Sequence, residues 1–280
     1  MTIPSPLQPG DTIAITATSG IVSPDRLDAG IHILKHLGLQ VKVLESCHAT
    51  EGSYLAGDDT LRLNNLHQAF GDSSIKAIMI ARGGYGAGRL LPYLDYGFIA
   101  KNPKIFIGYS DVTALHIVLN QQCKLATYHG PMASCLGGIS EAAINSLKQA
   151  LFTTQPLMPT GHRLVGGNLT VITSTLGTPY EIDTQGKILF LEDINEEPYK
   201  VDRMLLQLKL AGKLDDITAV ALGDFTPESL ATLDFAIKSH IKKPIIHGLL
   251  VGHIKDNFTL PLGRRVTPQY LAQWQVPLQA

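Results

Sequence analysis

The run Lys104-Ile105-Phe106-Ile107-Gly108-Tyr109-Ser110-Asp111-Val112-Thr113-Ala114-Leu115 passes from a buried strand to a helix with no loop between them. Ile105 to Tyr109 reads as a short buried strand. A helical pattern follows at once, with Val112, Leu115, Val118 and Leu119 on one face. A serine at such a junction sits on a sharp bend, its hydroxyl facing solvent and the first N–H groups of a helix beside it. That is the layout of a nucleophile elbow, although Gly108-Tyr109-Ser110-Asp111-Val112 keeps only the first glycine of Gly-x-Ser-x-Gly. The expected chemistry is that of a serine hydrolase.

Working outward, strands and helices alternate. Strands are expected at Asp11 to Ala17, Leu39 to Leu44 and Ile75 to Ala81, and helices at Pro24 to Leu37, Asp58 to Phe70, Arg89 to Leu94 and Asp111 to Gln121. Ser23, Pro24 and Gly38 punctuate the first helix as cap, first residue and stop. Such alternation with short links predicts a parallel sheet covered on both faces. A further helix, Glu141 to Leu151, leads into a stretch broken by Pro156, Pro159 and Gly161. Beyond it come short strands near Leu164-Val165, Lys187 to Leu191, Ile217 to Leu222 and Pro244 to His247. Thr170 to Thr175 fits either state, and helices are expected at Tyr199 to Ala211 and Pro227 to Lys238. The expected organisation is a domain over 1–152, a linker over 153–163 and a second domain over 164–280.

The 280 residues carry a net charge of −1 with both signs scattered, so neither a nucleic-acid stripe nor an acidic tail is present. No apolar run approaches the roughly 20 residues of a membrane span. Met1 to Gly10 has no basic n-region and is interrupted by Pro4, Pro6 and Pro9, so no secretory leader is expected. Cys47, Cys123 and Cys135 lack metal-ligand spacing and read as free thiols of a reducing cytoplasm. Neither a metal nor a cofactor is expected.

A serine nucleophile needs a base and an orienting acid. His32, His36, His67 and His116 fall inside helical patterns and read as helix residues. His129 follows a short strand, in a context that suits a cleft. His253 precedes a polar loop after an apolar segment, which suits a general base or simple loop capping. The strand Ile188 to Leu191 ends in an acidic cluster. Glu196 and Glu197 suit the N-terminus of the next helix, whereas Glu192 and Asp193 are either partnered acids or a solvated strand end. The loop Ala81-Arg82-Gly83-Gly84-Tyr85-Gly86-Ala87-Gly88-Arg89 lacks the spacing and the position of a dinucleotide fingerprint. Its glycines suit close backbone approach to a substrate oxygen, or a plain tight turn, and Arg82 suits a substrate carboxylate.

The ordered set Arg-Gly-Gly-Tyr-Gly at 82–86, Leu-Leu-Pro-Tyr-Leu-Asp-Tyr at 90–96, Gly-Tyr-Ser-Asp at 108–111, Gly-Gly-Asn-Leu at 166–169, Leu-Glu-Asp at 191–193, Asp-Arg-Met-Leu at 202–205, Gly-His at 252–253 and Leu-Pro-Leu-Gly at 260–263 resembles the LD-carboxypeptidases. The resemblance runs from about Gly10 to Val266. It implies an α/β fold: a Rossmann-like parallel-sheet domain carrying the nucleophile and a smaller β-rich domain carrying acid and base. It also implies a Ser-His-Glu triad of Ser110, His253 and Glu192. The oxyanion would meet the N–H groups of Asp111 and Gly84, with Gly83 and Arg82 beside the substrate. Release of D-alanine from a murein tetrapeptide, a cytoplasmic location and a homodimer are implied as well.

The same family includes microcin C immunity proteins, which cleave aminoacyl-nucleotides and carry a longer, aromatic-bearing loop before Gly-Gly-Asn. Here 153–165 is short and has no tryptophan, which favours the peptidase. The stretch between Asp224 and Pro244 is shorter than the family pattern, which bears on the loops near a cleft.

Overall fold

The computed structural model describes residues 1–154, 158–226, 228 and 230–275. Its first half runs β1 (Thr12–Thr16), α1 (Pro24–His36), β2 (Gln40–Val43), α2 (Asp59–Gly71), β3 (Ile75–Ile80), α3 (Ala87–Leu90), α4 (Tyr96–Lys101), β4 (Ile105–Gly108), α5 (Thr113–Gln121), β5 (Thr127–His129) and α6 (Glu141–Phe152). The second half runs β6 (His162–Asn168), α7 (Leu169–Ser174), β7 (Ile188–Glu192), α8 (Pro198–Leu210), β8 (Ala219–Leu222), α9 (Leu230–His240), β9 (Ile245–Ile246), β10 (Leu260–Leu262), β11 (Arg265–Val266) and α10 (Pro268–Leu271).

The apolar runs become strands because both sheet faces are covered. Ile13 to Ile15, Ala77 to Ile80 and Ile105 to Ile107 are fully or almost fully buried between helical layers. Local signals set the helix ends. Asp58 accepts from Leu61 N at 2.7 Å, and Ser140 accepts from Ala143 N at 3.3 Å. Ser23 stands at the N-cap of α1 without a side-chain cap bond, and Gly38 ends that region at φ +86°.

The first sheet has the order β10-β5-β4-β3-β1-β2, parallel except for β10. The chain reverses its direction of growth between β1 and β3, which makes the carboxyl ends of those strands the natural crevice of this Rossmann-like sheet. The second sheet has the order β11-β6-β7-β8-β9, parallel except for β11. Two core clusters flank the first sheet, and two more flank the second.

The structure refines several expectations. The ambiguous 170–175 stretch is helical, as α7. The stretch expected as a helix near Arg89 to Leu94 splits into α3 and a 3-10 turn over Leu91–Tyr93, and α4 follows. The last two residues of the expected linker, His162 and Arg163, already belong to β6. Linker residues 155–157, the Pro227 start of the last expected helix and residues 276–280 lie outside the described residues. A cut at 153–163 also leaves β10 on the far side of the sheet it joins, because Leu260 to Leu262 pair with His129 to Thr127.

Candidate active site

Ser110 follows β4 by two residues and opens a 3-10 turn, Ser110–Val112, that runs directly into α5. Its φ is +66°, a left-handed conformation unusual for a side-chain-bearing residue and the mark of a strained strand-to-helix bend. The bend is tight because Gly108 lies against Val112: a Cβ there would sit 2.9 Å from Val112 Cγ1.

Gly83 supplies the floor beside Ser110. A Cβ on it would lie 2.8 Å from Ser110 Cβ and 2.9 Å from Ser110 Oγ. Its carbonyl accepts from Gly20 N at 3.0 Å, which ties the loop after β3 to the loop after β1. Gly84 is exposed at φ +117°, a conformation glycine adopts without strain. Arg82 is exposed and donates from Nη1 to the Ile21 carbonyl at 2.5 Å. It makes no ion pair among the described residues.

Beneath this loop, Arg62 is fully buried. It donates to the Thr18 carbonyl, to the Gly86 carbonyl at 3.0 Å and to the Gly57 carbonyl at 3.2 Å, and pairs with Asp59. Asp111 is buried too, and its carboxylate accepts from Ser19 Oγ at 2.6 Å and Ala87 N at 2.8 Å. Burial raises its pKa against the pull of those bonds. The Asp111 side chain is therefore a brace between loops.

The second half of the chain brings Glu192 and His253 to Ser110. Glu192 is the last residue of β7 and is fully buried. Gly252 and Gly223 give it room, since added Cβ atoms would lie 3.0 Å from Glu192 Oε2 and 3.1 Å from Glu192 Cβ respectively. His253, on the loop between β9 and β10, places Nδ1 2.7 Å from Glu192 Oε2 and Nε2 2.9 Å from Ser110 Oγ. A carboxylate only accepts, so Nδ1 carries the proton and Nε2 faces the serine as an acceptor. The ring packs edge-on against Tyr109, with centroids 4.9 Å apart.

Burial works to raise the Glu192 pKa, but the nearby His129 ring and the hydrogen bond and charge of His253 outweigh it and bring it to about 2. Burial works to lower that of His253, and the bond and charge of Glu192, with Asp193 and Asp224 nearby, raise it overall. His129 is fully buried, with Nε2 3.6 Å from Glu192 Oε1, slightly beyond hydrogen-bond length. Both of its ring nitrogens and that carboxylate oxygen lack a hydrogen-bond partner among the described residues.

The remaining candidates sort by environment. His116 is wholly buried. Its Nε2–H donates to the Gly108 carbonyl at 2.8 Å, and its Nδ1 lies 2.9 Å from Thr127 Oγ1. Burial lowers its pKa to about 3, so it is a neutral strut behind the elbow. Asp193 is no solvated strand end: it takes bonds from Asn168 Nδ2, Ile194 N, Thr170 N and Thr170 Oγ1. Glu197 precedes α8 and pairs with Lys200 at 3.1 Å, as a helix-start acid does. The Gly166-Gly167-Asn168 run docks the halves together. A Cβ on Gly167 would sit 2.4 Å from Thr113 Oγ1, which accepts from Asn168 N at 2.9 Å. Among the described residues, no group of three or more His, Cys, Asp or Glu is placed to hold a metal ion.

The geometry can be set beside known proteins. The family described as LD-carboxypeptidase N-terminal domain matches residues 13–130, and that described as LD-carboxypeptidase C-terminal domain matches 161–267. A probable murein peptide carboxypeptidase of Bacillus subtilis is 41% identical, over 94% of this chain and 90% of its own. The crystal structure of a muramoyltetrapeptide carboxypeptidase from Oxalobacter formigenes superposes with a TM-score of 0.79 at 32% identity, covering 90% of this chain and 92% of that one. An MccF-like protein from Bacillus anthracis superposes with a TM-score of 0.85 at 28% identity, covering 94% of both chains. On matches that span both halves, the chain belongs to the LD-carboxypeptidase family.

Proposed function

We propose that this protein is a serine carboxypeptidase that hydrolyses the L,D amide bond and releases terminal D-alanine from murein tetrapeptides in cell-wall recycling. One observation carries the reading: Ser110 Oγ, the His253 ring and Glu192 Oε2 form a continuous hydrogen-bonded line with steps of 2.9 and 2.7 Å. His253 Nε2 takes the hydroxyl proton as Ser110 Oγ attacks the scissile carbonyl. Glu192 holds the ring and stabilises its charged form. The oxyanion is met by the N–H groups of Asp111 and Gly84, and each such donor is worth about 3 kcal/mol in the transition state. Arg82 pairs with the carboxylate of the departing D-alanine. His253 then protonates the leaving amine, and water, activated by the same imidazole, hydrolyses the acyl-serine.

The reading includes domains over 1–152 and 164–280 that share one site, tied by β10. It also includes a cytoplasmic location and a homodimer. No helix among the described residues is long and apolar enough to cross a membrane. Leu206 and Leu210, one turn apart on α8, and Phe235 on α9 are large exposed apolar side chains that suit a subunit contact, which sedimentation tests directly.

The test is D-alanine release from a murein tetrapeptide by the wild type and by Ser110→Ala. Turnover by the first and none by a folded second is expected. Likeness to an MccF-like structure keeps one alternative substrate in the same assay. Cleavage of an aminoacyl-sulfamoyl adenosine, with no D-alanine release, would replace the peptidase reading by the amidase one.

A further inference from the structure

His129 and Glu192 face each other with unmet hydrogen-bonding capacity. Both side chains are fully buried, and His129 Nε2 lies 3.6 Å from Glu192 Oε1. Neither atom has a hydrogen-bond partner among the described residues. The other carboxylate oxygen, Oε2, is the one that meets His253 Nδ1, at 2.7 Å. Glu192 thus stands between two imidazoles, one at each oxygen, and only His253 reaches the serine.

The surroundings leave this pair to each other. Phe190 packs edge-on against the His129 ring, with centroids 5.1 Å apart. His116, 6.4 Å away between centroids, already uses both nitrogens, on the Gly108 carbonyl and Thr127 Oγ1. The Tyr109 hydroxyl lies 3.6 Å from Cys135 Sγ. A carboxylate only accepts, so His129 can bond to it only with a proton on Nε2. In the other tautomer the Nε2 lone pair would face Oε1, and Nδ1–H would be a buried donor with no acceptor among the described residues. The separation is slightly beyond hydrogen-bond length and too short for a water between the two atoms. A shift of a few tenths of an ångström closes it.

Position gives the contact its use. His129 ends β5, in register with Gly108 of β4, two residues before Ser110. Glu192 ends β7, in the second sheet. The ring is therefore a first-sheet group set against an acid from the second sheet. A carboxylate held at one oxygen can pivot about that bond. Held at both, its plane is fixed and Oε2 stays aimed at His253. We infer that His129 is a positioning residue: its Nε2–H donates to Glu192 Oε1 and fixes the carboxylate against His253. This rests on the peptidase reading and adds to it a residue that acts through Glu192, without touching substrate.

The experiment joins NMR to kinetics. In the wild type, nitrogen NMR of histidine-labelled protein should find a proton on His129 Nε2. A bare Nε2 overturns the inference without any variant. The downfield proton resonance of the His253–Glu192 bond should shift or vanish in His129→Leu, which nearly keeps the volume and removes the donor. It should return in His129→Gln, whose amide nitrogen reaches the place of Nε2. An unmoved resonance in His129→Leu overturns the inference. For D-alanine release, His129→Leu should lower kcat by roughly 10- to 100-fold with little change in KM, and His129→Gln should restore most of it. In a Glu192→Ala background the same His129→Leu change should cost no more than about 2-fold, because no carboxylate is left to position. Equal losses in the Leu and Gln variants, or the same loss with and without Glu192, mark a purely structural role and overturn the inference. A wild type that releases no D-alanine overturns the peptidase reading instead, and the two NMR readouts still decide the role of His129.

Discussion

Ser110 is held mainly by backbone, whereas Glu192 and His253 are held by burial and by each other. On the first side, the strand end, the +66° bend, the bare Gly83 and the neutral strut His116 fix the nucleophile within a few residues of chain or through a main-chain contact. On the second, a fully buried carboxylate at the end of β7 reaches a histidine 61 residues away, on a long loop. The contrast teaches that an elbow is a local structure, set by the backbone around Ser110. The Glu192–His253 pair is a tertiary object, brought to Ser110 across a junction where Gly167 and Asn168 seat against Thr113.

Changes to the second side strike chemistry hardest. Glu192→Gln should lower kcat by about 10⁴-fold, the size seen when the acid of a serine triad becomes an amide. It should also move the acid limb of kcat/KM to lower pH. The sign follows from the causes: Glu192 raises the His253 pKa above the usual 6.5 while burial pulls it down, so removing the charge leaves burial dominant. In the wild type, activity should rise through a pKa above 6.5 as His253 loses its proton. Glu192 contributes no limb near neutrality, because its own pKa is about 2. A pH–rate profile of both proteins checks the direction, and an unmoved limb would break the coupling between acid and base.

A change to the first side should act through position. Gly83→Ala places a methyl 2.8 Å from Ser110 Cβ, and the nucleophile must shift to admit it. We expect kcat to fall by about 10²-fold, the usual cost of a displacement near 1 Å, with the pH profile unchanged. Steady-state kinetics beside a circular dichroism melt separate this from unfolding.

The junction between the two regions should show itself in stability. Gly167→Ala combines a backbone at φ +143° with a Cβ 2.4 Å from Thr113 Oγ1. A loss of about 2–4 kcal/mol in denaturant titration is expected. Smaller still is Arg82→Gln. It should raise KM for the tetrapeptide several-fold, leave kcat nearly intact and have no effect on a C-terminally amidated peptide.

The same contrast explains what the sequence disclosed. Ser110 and its strand-to-helix setting were legible because periodicity and turn chemistry are local. Glu192 stood out as an acid ending an apolar strand and His253 as a loop histidine, but their 2.7 Å contact is a product of the tertiary fold. Other parts gave no signal. Arg62 sits in an ordinary helical pattern, and only the fold reveals that it is buried under the glycine loop. Asn257 reads as a loop residue until its Nδ2 is found without a partner. Leu260-Pro261-Leu262 carries a proline that argues against a strand, yet it pairs at the edge of the first sheet, where a missing N–H is tolerated. His129 read as a cleft residue and instead lies fully buried behind Glu192.

The central claim is that a serine from the first sheet and a histidine from beyond the second act as one unit. A double-mutant comparison tests it most directly, using kcat for D-alanine release by Ser110→Ala, His253→Ala and the two combined. If they form one unit, the double variant should be no slower than Ser110→Ala alone, since removing one member already removes the function of both. Losses that multiply, so that the double variant is slower than either single one by the full product, would contradict it.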